Sequence, residues 1–329
     1  MAQSIKSLPA NRKRFTLKAV LPVAIIGALA VSLWIYAGKY GFSDLIYHGG
    51  SYWIPAGRQS RLLSPSMRLA LRGGVPPQPG QLTWHGVAPG FEVAALQAFV
   101  AGGEVDRVML ARIDPIRYRF AVYNDASGSR NLNRWMSKLG AALVVNGSYF
   151  SRYGTPDTPF ISNSASYGPA SYDARGGAFV ASSTSTTIHD LSKEGWKSAL
   201  QGAHDAMVSY PLLVKDGAPH VSQVSDWLAN RSFVGEDADG RIIIGTTRDA
   251  YFSLDRLGHF LAEAPLRLIY ALNLDGGPVA CQGISLAGYK RKVTGQWEYQ
   301  VEGEHGRLLR WPWAFGSVPM PIVLAVYPK

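Results

Sequence analysis

Residues 231–247 read RSFVGEDADGRIIIGTT, and the fold class turns on how this stretch is read. Two runs rich in β-branched and apolar residues flank Asp239-Gly240, a pair that tolerates the positive φ of a tight turn. The pattern predicts an antiparallel hairpin. EDADG (236–240) is also similar to the start of a calcium loop, but the rest of the twelve-residue ligand pattern is missing, so the turn reading stands. Moving outward, FEVAALQAFV (91–100) and VDRVMLARI (105–113) flank AGGE and predict a second hairpin, with RYRFAVYN (117–124) as a further strand. NLNRWMSKLG (131–140) has helical spacing: Asn131 is placed to cap it, Leu132, Trp135, Met136 and Leu139 share a face, and Gly140 ends it. LDRLGHFLAE (254–263) puts Leu254, Leu257 and Leu261 on one helix face. The expected fold is α+β, a mixed and mainly antiparallel β-sheet core with a few covering helices.

Charge is unevenly distributed along the 329 residues. Residues 1–72 hold ten of the 33 Lys and Arg but only one of the 23 Asp and Glu, so the remainder is close to neutral and the pI of 9.6 belongs to the N-terminal part. A nucleic-acid partner is therefore not expected, since such a partner demands a basic face on the folded body. The basic segment 1–18 precedes AVLPVAIIGALAVSLWIYA (19–37), which has no charged side chain. Nineteen residues at helical rise come close to the ~30 Å hydrocarbon core of a bilayer. Basic residues ahead of the span predict a cytoplasmic N-terminus, an inner-membrane anchor and a body on the periplasmic or extracellular side. A cleaved signal peptide is the competing reading, because ALA (28–30) resembles a cleavage site. The apolar run continues past that site and favours an anchor. Residues 38–81, with Gly and Pro clusters and scattered Arg, read as a juxtamembrane stalk with a short helix around SPSMRLALR (64–72), and the folded domain is placed at 82–329.

Several chemistries lack their residues. There is no helical His pair for zinc, no second Cys for a thiolate cluster, and no G-x-S-x-G, S-x-x-K or Walker-type GK[ST]. No metal ligands are assigned and no cofactor is required, although Asp and Asn side chains could hold a structural divalent ion. The lone Cys281 cannot form an intramolecular disulfide and reads as a small buried hydrophobe. His259, between apolar helix residues, reads as packed or solvent-facing.

What remains are three strands that end in a polar residue and Gly: VVNGSYF (144–150), the arginine-led hairpin 231–241, and LNLDGGP (272–278). Each has a plain structural use. Asp275 can bond the amides of its own turn, Asn146-Gly147 is an ordinary turn pair, and Arg231 can pair with Glu236 or Asp237 across its hairpin. Tyr149 and Phe150 suit either a core or a sugar-stacking surface.

In order along the chain, these segments together with SYPLLVKDG (209–217) and PMPIVLAVY (319–327) resemble the phosphodiester glycosidase family. The resemblance spans about residues 82–329. It implies a hydrolase acting on a sugar-phosphodiester or polysaccharide substrate, with bacterial members often exopolysaccharide-related. It also implies Asp275, Arg231 and Asn146 as catalytic residues, and Gly147, Gly276 and Gly277 as substrate-binding ones; Tyr149 joins the latter as an aromatic ring able to stack on a sugar. The chemistry is consistent with that set. A carboxylate, Asp275, stabilises the oxocarbenium-like state. An arginine can hold the departing phosphate and its growing charge. An amide orients the reactants. One departure is clear: the family commonly continues D-G-G-G-S, whereas here Pro278-Val279 follows the glycines and a hydroxyl is lost. A non-catalytic glycan- or phosphoglycan-binding module on the same fold is the alternative expectation.

Overall fold

In the computed structural model, which describes residues 17–40, 53–73, 76–173, 176–302, 305–311 and 316–329, the hairpin of residues 231–247 forms as read. Its strands Ser232–Asp237 and Ile242–Thr247 pair antiparallel, and Gly240 takes φ +73° in the turn. Asp237 caps that turn, accepting the N–H groups of Asp239 and Arg241 at 2.9 Å each. The hairpin lies at the centre of a nine-stranded sheet. Beyond Ser232–Asp237 come Leu268–Asn273, Leu212–Lys215 and Ala218–Pro219; beyond Ile242–Thr247 come Gly103–Ile113, Phe91–Val100 and then Gln78–Pro79, with His85–Ala88 also pairing Phe91–Val100. Every strand pairing among the described residues is antiparallel, so the expected parallel admixture is absent.

Alternation along the strands explains why this sheet has two buried faces. Ile242 and Ile244 point into one core, where they meet Phe120, Val145, Leu324 and Phe179. Ile243 points the other way, into a core shared with Leu257, Phe260 and Leu261 of the helix Leu254–Glu263. A strand buried on both faces needs apolar residues at consecutive positions, and IIIGTT supplies them. The first core is closed by two five-stranded sheets. One has the order Tyr289–Thr294, Cys281–Leu286, Leu143–Asn146, Ile322–Pro328, Tyr118–Asn124; the other runs Thr186–Asp190, Gly177–Ala181, Asp205–Ser209, Phe160–Ser162, Ala165–Tyr167. The helix Leu132–Leu139 covers the outer face of the former sheet through Leu132 and Trp135. Its Asn131 side chain accepts from Arg134 N at 3.1 Å, and Gly140 closes it at φ +58°.

A four-stranded sheet, ordered Trp53–Pro55, His305–Arg310, Trp297–Glu302, Leu228–Ala229, completes the body. It corrects the expected stalk. Trp53–Pro55 pairs with His305–Arg310, and Leu63, Met67, Ala70 and Leu71, around the helix Pro65–Ala70, are buried in the same core as Phe233 and Ile243. Scattered arginines and glycines in 53–73 disguise an apolar face made by a few well-spaced side chains. The Gly74 and Val75 of the expected stalk lie outside the described residues, as do 41–52. Residues 1–39 form a separate unit whose described part is helical, within a helix Leu17–Tyr40 that contains Pro22. Side chains are described there for Pro22 and residues 24–34. Among the described residues, no helix is long and apolar enough to cross a membrane. The basic segment 1–16 lies outside them.

Candidate active site

Two strands from different sheets end side by side, and the site is built where they stop. Leu143–Asn146 runs into Gly147 and Leu268–Asn273 runs into Leu274 and Asp275. Asp275 N donates to Gly147 O at 3.0 Å, while Gly147 N donates to Ile322 O at 2.8 Å. A Cβ on Gly147 would lie 2.3 Å from Ile322 Cγ2, so only glycine lets the three segments close up. Asn146 is 1% exposed, and its side chain is occupied by backbone. Its Nδ2 donates to Asp275 O at 2.8 Å and its Oδ1 accepts Cys281 N at 3.1 Å. Asn146 thus fixes the backbone of Asp275 from below and has no polar atom turned to the open side.

Above this junction is a cavity of about 270 Å³ lined by Tyr149, Asp157, Tyr210, Asp275, Pro278 and Glu298 among others. Tyr149 and Tyr210 make one wall, with stacked rings 4.5 Å apart and 28° between their planes. Tyr149 Oη donates to Tyr210 O at 2.9 Å and accepts from Asn273 Nδ2 at 2.7 Å, so the wall is braced by the neighbouring strand end. Pro278 and Val279, in the short 3₁₀ turn Gly277–Val279, make an apolar side where the family pattern has Gly-Ser.

Asp275 Oδ1 accepts the N–H of Gly276 at 2.8 Å. Burial is the main influence on its carboxyl, reinforced by the negative charge of Glu298 and opposed by Arg231, and it is pushed up to about 8. At neutral pH Asp275 is therefore mostly protonated, whereas the sequence reading gave it the role of a carboxylate. Glu298, from the strand Trp297–Glu302, is also raised by burial. Its Oε1 accepts Trp227 Nε1 at 2.9 Å and Gln300 Nε2 at 3.1 Å.

Arg231 is 5% exposed and is not among the residues lining the cavity. Its Nη2 donates to Trp227 O at 2.8 Å and its Nε to Phe252 O at 3.4 Å. The cross-hairpin pairing considered for it does not form. Asp237 is paired with Arg241, and Glu236 accepts Thr187 Oγ1 and Ile188 N. Instead the guanidinium lies behind the Asp-Gly-Gly turn: a Cβ on Gly276 would sit 3.1 Å from Arg231 Nη1, and one on Gly277, where φ is +68°, would sit 2.5 Å from Glu298 Oε2. The two glycines therefore let the turn touch a buried cation on one side and a carboxylate on the other.

Asp275, Gly276 and Tyr149 thus line the cavity, while Asn146, Gly147, Gly277 and Arg231 surround and support it. Sequence reasoning missed Glu298, Asp157 and Tyr210. Glu298 stands in GQWEYQ, an alternating strand segment with nothing to mark it, and Tyr210 stands in the strand-turn SYPLLVKDG with nothing to single it out. Cys281 is fully buried against Met320, its thiol pushed up by desolvation, which rules it out as a nucleophile. His259 is solvent-exposed. Among the described residues no group of three or more His, Cys, Asp or Glu is arranged to hold a metal.

Among solved structures, the zebrafish N-acetylglucosamine-1-phosphodiester alpha-N-acetylglucosaminidase catalytic domain, auto-inhibited by its pro-peptide, matches with a TM-score of 0.55 and 16% identity, over 78% of this chain and 90% of that one. A hypothetical protein from Synechocystis matches at TM-score 0.49 and 13% identity, over 76% and 64% respectively. At such identities the first likeness is one of fold. No curated protein sequence matches this chain. The family model for phosphodiester glycosidase matches residues 139–280, the stretch that runs from the end of the Leu132–Leu139 helix through Asn146, Arg231 and the Asp-Gly-Gly turn. That match bears out the resemblance seen in the sequence: residues 139–280 of this chain are similar to the phosphodiester glycosidase family.

Proposed function

We propose that this protein is a hydrolase that cleaves the glycosidic bond between a sugar and a phosphodiester in an envelope or extracellular glycan. One observation carries the reading: Asp275 of the Asp-Gly-Gly segment lines the same cavity as the stacked Tyr149 and Tyr210 rings. A sugar ring offers an apolar face to such a wall and its glycosidic bond to the carboxyl. The volume of about 270 Å³ is at the small end of ligand sites and suits one terminal sugar better than a length of chain. Asp275 is the reacting carboxyl. Arg231 acts from behind the turn as a buried counter-charge rather than as a direct phosphate clamp, and Asn146 positions the Asp275 backbone.

Proton NMR on the full chain with a panel of sugar-1-phosphodiesters tests this reading. Anomeric sugar should appear with the parent protein and fall by about 100-fold or more with Asp275→Asn. Saturable binding with no turnover by folded parent protein would instead favour a glycan-binding module, a reading to which the apolar Pro278-Val279 side lends support. The charge-free run 19–37, preceded by basic residues, supports a body anchored to the inner membrane and exported. Fractionation of the full chain against a fragment from residue 41 tests that location; a full chain found entirely in the soluble fraction would refute the anchor.

A further inference from the structure

The cavity holds a second carboxyl that the family segment does not contain. Glu298 lies beyond residues 139–280, on a strand of the small sheet, yet it lines the same cavity as Asp275. We propose that Glu298 is a catalytic residue, the carboxylate that faces the positive charge at the anomeric carbon, and that Asp275 is its proton-bearing partner. The proposal rests on the sugar-phosphodiester reading of this site.

The surroundings of the two groups divide the roles. Glu298 Oε1 accepts two N–H donors, Trp227 Nε1 at 2.9 Å and Gln300 Nε2 at 3.1 Å. Burial raises the Glu298 carboxyl, but these donors and the charges of Arg231 and Arg307 oppose it and favour the ionised form. The Gln300 amide is oriented for this by Arg307, whose Nε and Nη2 donate to Gln300 Oε1 at 2.9 and 2.5 Å and so turn the NH₂ group toward Glu298. Arg307 in turn lies over the Trp53 ring at 4.9 Å. Oε2 is left against Gly277, where no side chain fits, and this is the oxygen nearest the Asp-Gly-Gly turn. Asp275 has one N–H donor, from Gly276. The groups facing it are Glu298, Asp157, Arg231, Tyr149 and Tyr210. Burial and the Glu298 charge hold its proton on, up to about 8, against the pull of Arg231. Both carboxyls are raised by burial, and the one with fewer donors and a negative neighbour keeps its proton.

The step balances without a further reactant. As the bond from C1 to the bridging phosphate oxygen breaks, its electron pair goes to that oxygen, which takes the proton from the Asp275 carboxyl and leaves as a phosphomonoester. The Glu298 carboxylate stabilises the cationic C1. Water then adds to C1 and gives its proton to the Asp275 carboxylate, restoring the site. The chain Trp53–Arg307–Gln300 positions Glu298 from the N-terminal strand, a part of the protein far from the family motifs in sequence.

The test compares the full-length parent, Glu298→Gln and Asp275→Asn on sugar-1-phosphodiesters and on the same sugar linked to a better and a poorer leaving group. Glu298→Gln should lower kcat by about 100- to 1,000-fold whatever the leaving group, while the loss in Asp275→Asn should grow with the basicity of the leaving group. In Glu298→Gln the alkaline limb of kcat/KM should move to lower pH, because removing the negative neighbour lets Asp275 ionise more easily. Glu298→Gln activity within about threefold of the parent would overturn the proposal. If the parent releases no sugar from any substrate, the phosphodiester reading fails, and a carbon-13 carboxyl titration of the folded proteins decides the pairing. Asp275 should titrate above the ordinary carboxylate range in the parent and drop in Glu298→Gln; an unchanged titration would overturn the coupling.

Discussion

Asp275 is a costly residue to keep in its position. Its proton is bound more tightly in the folded protein, at about 8, than in an unfolded chain, where a free aspartyl group titrates near ~4. The folded state therefore binds more protons than the unfolded state between those limits, and this group's contribution to stability declines as pH rises through that window. Asp275→Asn removes the dependence while keeping the shape. The variant should melt at a higher temperature than the parent at pH 8.5 and differ little near pH 4, as followed by circular dichroism. A lower melting temperature at pH 8.5 would mean that the carboxylate is better solvated than its surroundings imply. A gain of stability together with a loss of sugar release is the signature of a strained catalytic group.

At the level of single elements, the helix Leu132–Leu139 has its ends specified locally and its place specified by packing. Asn131 satisfies the Arg134 N–H and Gly140 adopts φ +58° at the other end, while Leu132 and Trp135 bury one face against Val144 and Val323. Asn131→Ala should cost about 1 kcal/mol, read from the denaturation midpoint, through loss of the cap. Sugar release should not change, because the helix covers the side of the sheet opposite the cavity core. A fall in activity larger than the fall in stability would show that the helix end is coupled to the Asn146 strand. The strands carry the site in a different manner: Leu143–Asn146 and Leu268–Asn273 end together because they belong to facing sheets.

Across the whole molecule, the N-terminal strip 53–73 is part of the body. Met67 is fully buried beside Leu63 and Ala70, and Trp53–Pro55 extends the sheet that bears Glu298. A fragment starting at Leu82 should therefore be far less stable than one starting at residue 41. Met67→Ala in the longer fragment should cost about 2–5 kcal/mol by leaving a cavity. Equal urea midpoints for the two fragments would show that the strip packs without contributing. The same strip reaches the site through Trp53 and Arg307, so its removal should also weaken the placement of Gln300 and Glu298.

Local pattern alone was enough for the antiparallel hairpins, the helices Leu132–Leu139 and Leu254–Glu263 and the Asp-Gly-Gly turn, because alternation, helical spacing and turn glycines act over a few neighbours. The ordered strand-end motifs were also enough to point to the phosphodiester glycosidase family. Three things needed the tertiary structure. Glu298 meets Asp275 across separate sheets, with no local mark in GQWEYQ. Arg231 ends behind the turn, buried and away from its hairpin acids, because Arg241 already holds Asp237. Residues 53–73 join the core through a handful of apolar side chains whose partners are spread along the chain from Ala94 to Leu308. The physical reason is common to all three. Pairing of charges and burial of scattered apolar groups depend on which distant segments the sheets bring together, and no short window of sequence contains both partners.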